Sequence, residues 1–166
     1  MRKAGRKALV SLVALGALAL PASATAQQDV AGKPGPRGCV AKFDAAQRAD
    51  MESFRDYDAE TFRAVHDRDA VSVFPSGARF AGIDAIMDAL QGHFEGKEAL
   101  WSWTEINRRI DGCKSAFIEY EAVYEIPRIG FYQRAHTVVS YIYKRGEWLA
   151  TLDQGTMLEL RTGPTL

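Results

Sequence analysis

Apolar positions change their period along the chain. Between Val40 and Val65, Phe43, Ala46, Met51, Phe54, Phe62 and Val65 recur at a rough helical spacing with charges between them, which predicts amphipathic helix. Asp56 or Asp58 is placed to cap a second helix, Ala59 to about His66, so this part reads as a bent helix or helical hairpin. From Ala70 the pattern changes. Val71, Val73 and Phe74 make a β-prone run that Pro75 stops, Ser76-Gly77 supplies a turn, and a short strand comes before Gly82. Ile83, Ile86, Met87 and Leu90 then return to helical spacing, and the stretch from Gly92 to Lys97, with two glycines, ends this third helix.

The remainder of the chain, from Leu100 to Met157, reads as strands joined by turns. Leu100 to Ile110 is rich in Trp, Thr and Ile, and Asp111-Gly112 is a hairpin turn. Ser115 to Tyr124 alternates, Pro127 to Gly130 is a loop, Tyr132 to Tyr143 is rich in Tyr and Val, Arg145-Gly146 turns, and Trp148 to Met157 closes the set. Helices first and then a meander of long strands predict an α+β domain with the helices on one face of an antiparallel sheet. The expected domain is 40–160, with a Pro- and Gly-rich linker at 27–39 and a short tail at 161–166.

The first 26 residues read as a secretory signal peptide. Arg2, Lys3, Arg6 and Lys7 form a positive start, Ala8 to Leu20 is apolar but shorter than the roughly 20 residues of a membrane span, and Ala24-Thr25-Ala26 offers a cleavage site. Export with no stable membrane insertion is therefore expected, to a secreted or periplasmic location after cleavage near Ala26. Cleavage removes four of the 21 basic residues and none of the 21 acidic ones, leaving a mildly acidic protein. With no Lys/Arg cluster in what remains, nucleic acid is not an expected partner. Cys39 and Cys113 both survive cleavage, and in an oxidising compartment an isolated pair is expected to bridge.

The stretch Asp69-Ala70-Val71, a short strand, Pro75-Ser76-Gly77, then Phe80-Ala81-Gly82-Ile83-Asp84-Ala85-Ile86 resembles the NTF2-like superfamily, in particular its SnoaL-like and DUF4440-type members. The resemblance covers about Asp44 to Leu158. It implies a cone in which N-terminal helices and a strongly curved antiparallel sheet enclose a pocket, and often a homodimer. It does not fix an activity, since such folds host isomerases, hydrolases, cyclases, dehydratases and plain binding modules. Phe74 stands where ketosteroid-isomerase-like members carry a general-base Asp, and Val139 aligns with their second acid, which disfavours that mechanism. In Leu152-Asp153-Gln154-Gly155-Thr156, Gln154 and Gly155 replace the His and Trp of many DUF4440-type members, which removes an imidazole and opens space.

Aligned on that resemblance, strand parity puts Ile118, Tyr120, Ala122, Tyr124, Thr137, Val139, Tyr141, Thr151, Asp153 and Gly155 on the concave face. Glu119, Glu121, Arg134 and His136 fall on the outer face as an opposite-charge set suited to cross-strand or cross-subunit pairs. Asp153 is the one acid aimed into the pocket and the candidate general acid or base, the alternative being a structural hydrogen bond. Tyr57, Trp103, Tyr120, Tyr124, Tyr141 and Thr151 are the candidate ligand-binding residues, for an apolar or aromatic molecule with a polar group. His66, His93 and His136 lie in separate elements without metal-ligand spacing, so surface or capping roles are expected and no metal or cofactor is. Arg79 is expected near the pocket mouth as a solvated residue. The functional expectation is small-molecule binding in the cone pocket. Its alternatives are a cofactor-independent lyase, isomerase or cyclase acting through Asp153, and a protein–protein assembly module.

Overall fold

The structure, a computed structural model, describes residues 36–163. The expected signal peptide, residues 27–35 of the expected linker and the last three residues lie outside the described residues. Helix α1 (Pro36–Arg55) begins four residues earlier than the apolar period suggests. Proline suits a first helical position, because its fixed φ is already helical and its missing N–H has no intrahelical partner to lose. Phe43 and Met51, both buried, carry the apolar stripe of α1 into the core. Asp58, not Asp56, caps α2 (Ala59–Ala64): the Thr61 backbone N–H donates to Asp58 Oδ1 at 3.0 Å and the Thr61 hydroxyl to Oδ2 at 2.6 Å. Asp56 instead pairs with Arg55.

Strand β1 (His66–Val73) and the short β2 (Arg79–Ala81) form an antiparallel pair around the Pro75 turn. Gly82, at φ 85°, then turns the chain into α3 (Ile83–Ala89) in a backbone region that favours glycine. The expected single third helix is two: Leu90 leaves helical geometry, and α4 (Gln91–Gly96) continues through the two glycines to Lys97, which caps it at φ 51°. Four long strands complete the domain: β3 (Leu100–Asp111), β4 (Ser115–Ile126), β5 (Phe131–Lys144) and β6 (Glu147–Arg161).

The sheet order is β2-β1-β6-β5-β4-β3. The meander β3 to β6 is antiparallel as the turns predict, but β1 pairs parallel to β6, with Ser72 opposite Asp153, so the sheet is mixed. The physical reason is that β1 reaches β6 by a long excursion through α3, α4 and four strands and not by a hairpin, so no turn dictates its direction. Inward residues of β4 and β5 alternate as expected: Ala116, Ile118, Tyr120 and Ala122 are buried, as are Ala135, Thr137, Val139 and Tyr141.

The Cys39–Cys113 disulfide joins the first turns of α1 to the β3–β4 hairpin, with Cα atoms 5.5 Å apart. Beside it the Trp148 indole N–H donates to the Cys39 carbonyl at 2.8 Å, so the start of α1 is held to both hairpin ends of the sheet. Among the described residues no helix is long and apolar enough to cross a membrane.

Candidate functional site

Between α1, the β1–β2 turn, α3–α4 and the inner face of β4 to β6 lies a cavity of about 320 Å³. Its walls are mainly apolar and aromatic: Phe54 and Phe62 from the first two helices, Phe74 from the end of β1, Trp101 from β3 and Phe131 from β5. Against this background stand a few polar groups, namely Asp50, His66, Ser72, His93, Tyr120, Tyr124, Gln133, Thr137 and Asp153. Among the described residues no lysine or arginine lines it.

Asp153 reaches the cavity because of a local irregularity in β6. Trp148 and Ala150 point inward, and simple alternation from them would send Asp153 outward. Tyr141 pairs with Ala150 and Ser140 with Leu152, so Thr151 is an extra residue in β6, a bulge that reverses the parity of the strand from Leu152 to Met157, until a second extra residue, Leu158, between the partners of Ala135 and Arg134. Asp153 and Gly155 are thereby turned inward, as expected, and Thr151 is not: its hydroxyl donates to the Ser140 carbonyl at 3.1 Å and it lines a shallow outer depression with Arg109 and Phe117. Gly155 leaves room for the Pro75 ring, whose Cγ lies 2.7 Å from where a Cβ would stand.

The Asp153 carboxyl has no hydrogen-bond or ion-pair partner among the described residues. The residue is half-buried, deep within the protein yet open to the cavity it lines. Burial, reinforced by the negative potential of Asp50, pushes its pKa to about 7. Asp50, on the buried face of α1, sits in a different environment. It accepts the Tyr141 hydroxyl proton at 2.6 Å on Oδ2, and its Oδ1 lies 3.8 Å from His66 Nε2. Burial raises its pKa, while the neighbouring His66 and the Tyr141 hydrogen bond pull it back. His66 Nδ1 is 2.7 Å from the Phe62 carbonyl oxygen, which can only accept, so Nδ1 bears a proton and Nε2 is the nitrogen turned to Asp50. Burial together with Asp153 and Asp50 drives the Tyr120 hydroxyl well above its ordinary pKa, and the same carboxylates act on Tyr141.

His93 anchors the opposite wall. Its Nε2–H donates to the Phe54 carbonyl at 2.7 Å, leaving Nδ1 to accept from the Tyr124 hydroxyl at 3.2 Å. Burial lowers its pKa, which keeps the ring neutral and fit for that acceptor role. The ring also stacks on Phe54, centroids 3.9 Å apart.

Of the residues singled out from sequence, Asp153, Tyr120 and Tyr124 come together around the cavity. Tyr141 stands behind Asp50, which it supports. Tyr57 lies beside His93 and donates its hydroxyl to the Ala99 carbonyl, so it braces the wall and does not line the cavity. Trp103 stacks on Trp101 from outside, with the Arg55 guanidinium 5.7 Å above it. Arg79 is exposed and does not line the cavity. The surface or capping roles expected for the histidines hold for His136, bonded to Glu119 at 2.8 Å, but His66 and His93 are buried and face the cavity. Asp50, Ser72 and Gln133 are polar lining residues that the sequence pattern did not single out, and His66 and His93 are ones it expected elsewhere. The available signal was the placement of Asp50 one turn from Phe54 and one from Gln47, within the apolar stripe of an amphipathic helix.

Comparison with known proteins agrees with this architecture. No protein-family model matches the sequence, and no curated protein does. Solved structures match well in three dimensions. An uncharacterised protein with a cystatin-like fold from Caulobacter vibrioides aligns with a TM-score of 0.61 at 15% identity, over 72% of this chain and 89% of that one. A ketosteroid isomerase-like protein from Erwinia carotovora atroseptica gives 0.60 at 15% identity, over 72% and 95%. A type 2 hexachlorocyclohexane dehydrochlorinase gives 0.60 at 10% identity, over 76% and 90%. The protein has the NTF2-like, or cystatin-like, fold.

Proposed function

We propose that the protein is a cofactor-independent enzyme of the lyase, isomerase or cyclase type, which encloses a small apolar or aromatic molecule in the cavity and moves a proton through Asp153. The observation that carries this reading is the Asp153 carboxyl, unpartnered among the described residues in an aromatic cavity where burial pushes its pKa to about 7. A general acid–base group is most effective when its pKa is close to the working pH, and a merely structural carboxylate would be expected to have a partner holding it ionised. Asp50, hydrogen-bonded and beside His66, is set apart from Asp153 by its surroundings, and two carboxyls with different environments suit different roles. Asp153 exchanges the proton, and Asp50 with Tyr141 and Tyr120 supplies the polar frame that orients the ligand. Two of the structurally similar proteins, described as ketosteroid isomerase-like and as a dehydrochlorinase, support the view that this fold accommodates such chemistry. An open cavity weighs against a pure assembly module, whose pocket would be expected to be packed with side chains.

The test begins with native mass spectrometry of the purified protein, to recover and identify any retained small molecule. That molecule, together with a panel of aromatic ketones, is then incubated in heavy water with the protein, and product formation and deuterium incorporation are followed by NMR. Wild type is expected to turn over or exchange at least one of them, with Asp153→Asn slower by about a hundredfold or more while still binding it. Tight binding with no turnover or exchange in wild type would replace the enzyme reading with that of a binding protein. We further propose export to an oxidising compartment and a homodimer formed through the outer face of β4 to β6, where light scattering should return twice the mass of one chain.

A further inference from the structure

Ligand charge is the feature of this cavity that its side chains constrain most strongly. Among the described residues no lysine or arginine lines it, and His66, whose positive charge bears on Asp50, has its Nδ1 on the Phe62 carbonyl and its Nε2 turned to that carboxyl, so an anion entering the cavity would find no unengaged cation to replace its hydration. At the Asp50–Asp153 end an anion would also face two carboxyl groups. The other titratable groups packed around Asp153 do not reverse this. His66 has its Nδ1 proton committed to the Phe62 carbonyl, Tyr141 commits its hydroxyl to Asp50, and Tyr120 is held protonated by burial and the surrounding negative potential. On the far wall His93 is neutral and accepts from Tyr124, which leaves the Tyr124 oxygen to offer lone pairs to the cavity. Ser72, Tyr120, Gln133 and Thr137 can donate as well as accept, so it is the pair of carboxyls at the Asp50–Asp153 end, with aromatic faces beside them, that distinguishes this cavity as one suited to a cation.

We propose that the substrate or ligand is a small aromatic amine, bound as its ammonium with the charge at the Asp50–Asp153 end of the cavity and the ring against Phe54, Phe62 and Trp101. This rests on the reading of the cavity as the ligand site and adds the ligand's class. It also fixes the direction of the proton chemistry. An ammonium beside Asp153 holds the carboxyl ionised, so Asp153 serves as a base toward the bound molecule. Asp50 is a positioning residue for the ammonium, held in place by Tyr141.

The experiment compares three probes of one shape and different charge, phenethylamine, phenethyl alcohol and phenylacetate, by titration calorimetry and quenching of Trp101 fluorescence. At about pH 8 the amine is expected to bind at least tenfold more tightly than the alcohol, and phenylacetate more weakly than either. Between about pH 6 and pH 8 the amine itself stays protonated while Asp153 ionises, so its affinity should rise about tenfold and that of the alcohol should stay level. Asp153→Asn, nearly isosteric, should abolish that pH dependence and most of the preference, and Asp50→Asn should reduce the preference in the same direction. Equal binding of amine and alcohol, or tighter binding of phenylacetate, would overturn the amine assignment and leave the cavity as the ligand site. Binding of none of the three would overturn both.

Discussion

At the scale of single residues, the Asp153 carboxyl is held where its surroundings oppose its ionisation. Its pKa lies at about 7 in the fold against an ordinary 3.8, so the folded state binds this proton more strongly than the unfolded chain does. Its contribution to stability is therefore intact below about pH 4 and is lost as the pH rises through 7, by about 4 kcal/mol when the carboxyl is fully ionised. Asn cannot ionise, so Asp153→Asn should raise the unfolding free energy at about pH 8 by up to that amount, and the gain should vanish near pH 4. Urea unfolding at the two pH values measures it. An equal effect at both would mean that the carboxyl is not desolvated. A variant more stable at neutral pH and slower with substrate is the expected behaviour of a strained active-site group. Asp153 was legible from the alignment of the hairpin turns on the family resemblance, because alternation counted from Trp148 alone would have turned it outward. Asp50 and His66 were less so, since a helix pattern shows which face is buried without showing that a cavity opens there.

At the scale of elements, the β6 bulge and the Pro75 turn shape the site together. Thr151 takes up the extra position, Asp153 and Gly155 turn inward, and the ring of Pro75 fits over the bare Gly155 backbone. A Cβ at 155 would come within 2.7 Å of Pro75 Cγ and 3.0 Å of Cδ, too close for either to remain in place. The proline ring has little freedom to yield, so the turn at 74–76, part of the cavity wall, must move. Gly155→Ala should cost about 1–3 kcal/mol in stability and reduce ligand affinity, with the loss in affinity exceeding that of an alanine placed at exposed Gly96. Thermal unfolding and calorimetry on the same preparations measure the two effects. The space at Gly155 was foreseeable from the sequence, but not its occupant. The bulge itself leaves no signature in the residues around Thr151, so the period-two rule failed at Thr151, where the strand breaks it beside the cavity.

At the scale of the whole domain, the order of helices and strands was readable because each turn announces itself: Asp111-Gly112, Pro127 to Gly130 and Arg145-Gly146 fix the antiparallel meander. The direction of β1 was not, since its pairing with β6 joins residues about half the chain apart and no local residue encodes it. That same long-range character makes the Cys39–Cys113 bridge consequential. It closes a sequence separation of 74 residues, tying the first turns of α1 to the β3–β4 hairpin, with the Trp148 hydrogen bond to Cys39 beside it. Constraining a loop of that length in the unfolded chain is worth about 4 kcal/mol. The paired substitution Cys39→Ala with Cys113→Ala should therefore lower the urea midpoint without unfolding the protein, and wild type under reducing agent should fall to the same midpoint. The cavity is built from the middle and far end of α1, Asp50 to Phe54, so ligand affinity in the doubly substituted protein should stay within about threefold of wild type where the domain remains folded. A large loss of affinity in that folded variant would show that the bridge positions Asp50 through the whole length of α1, and would move the disulfide from a brace of the fold to a determinant of the site.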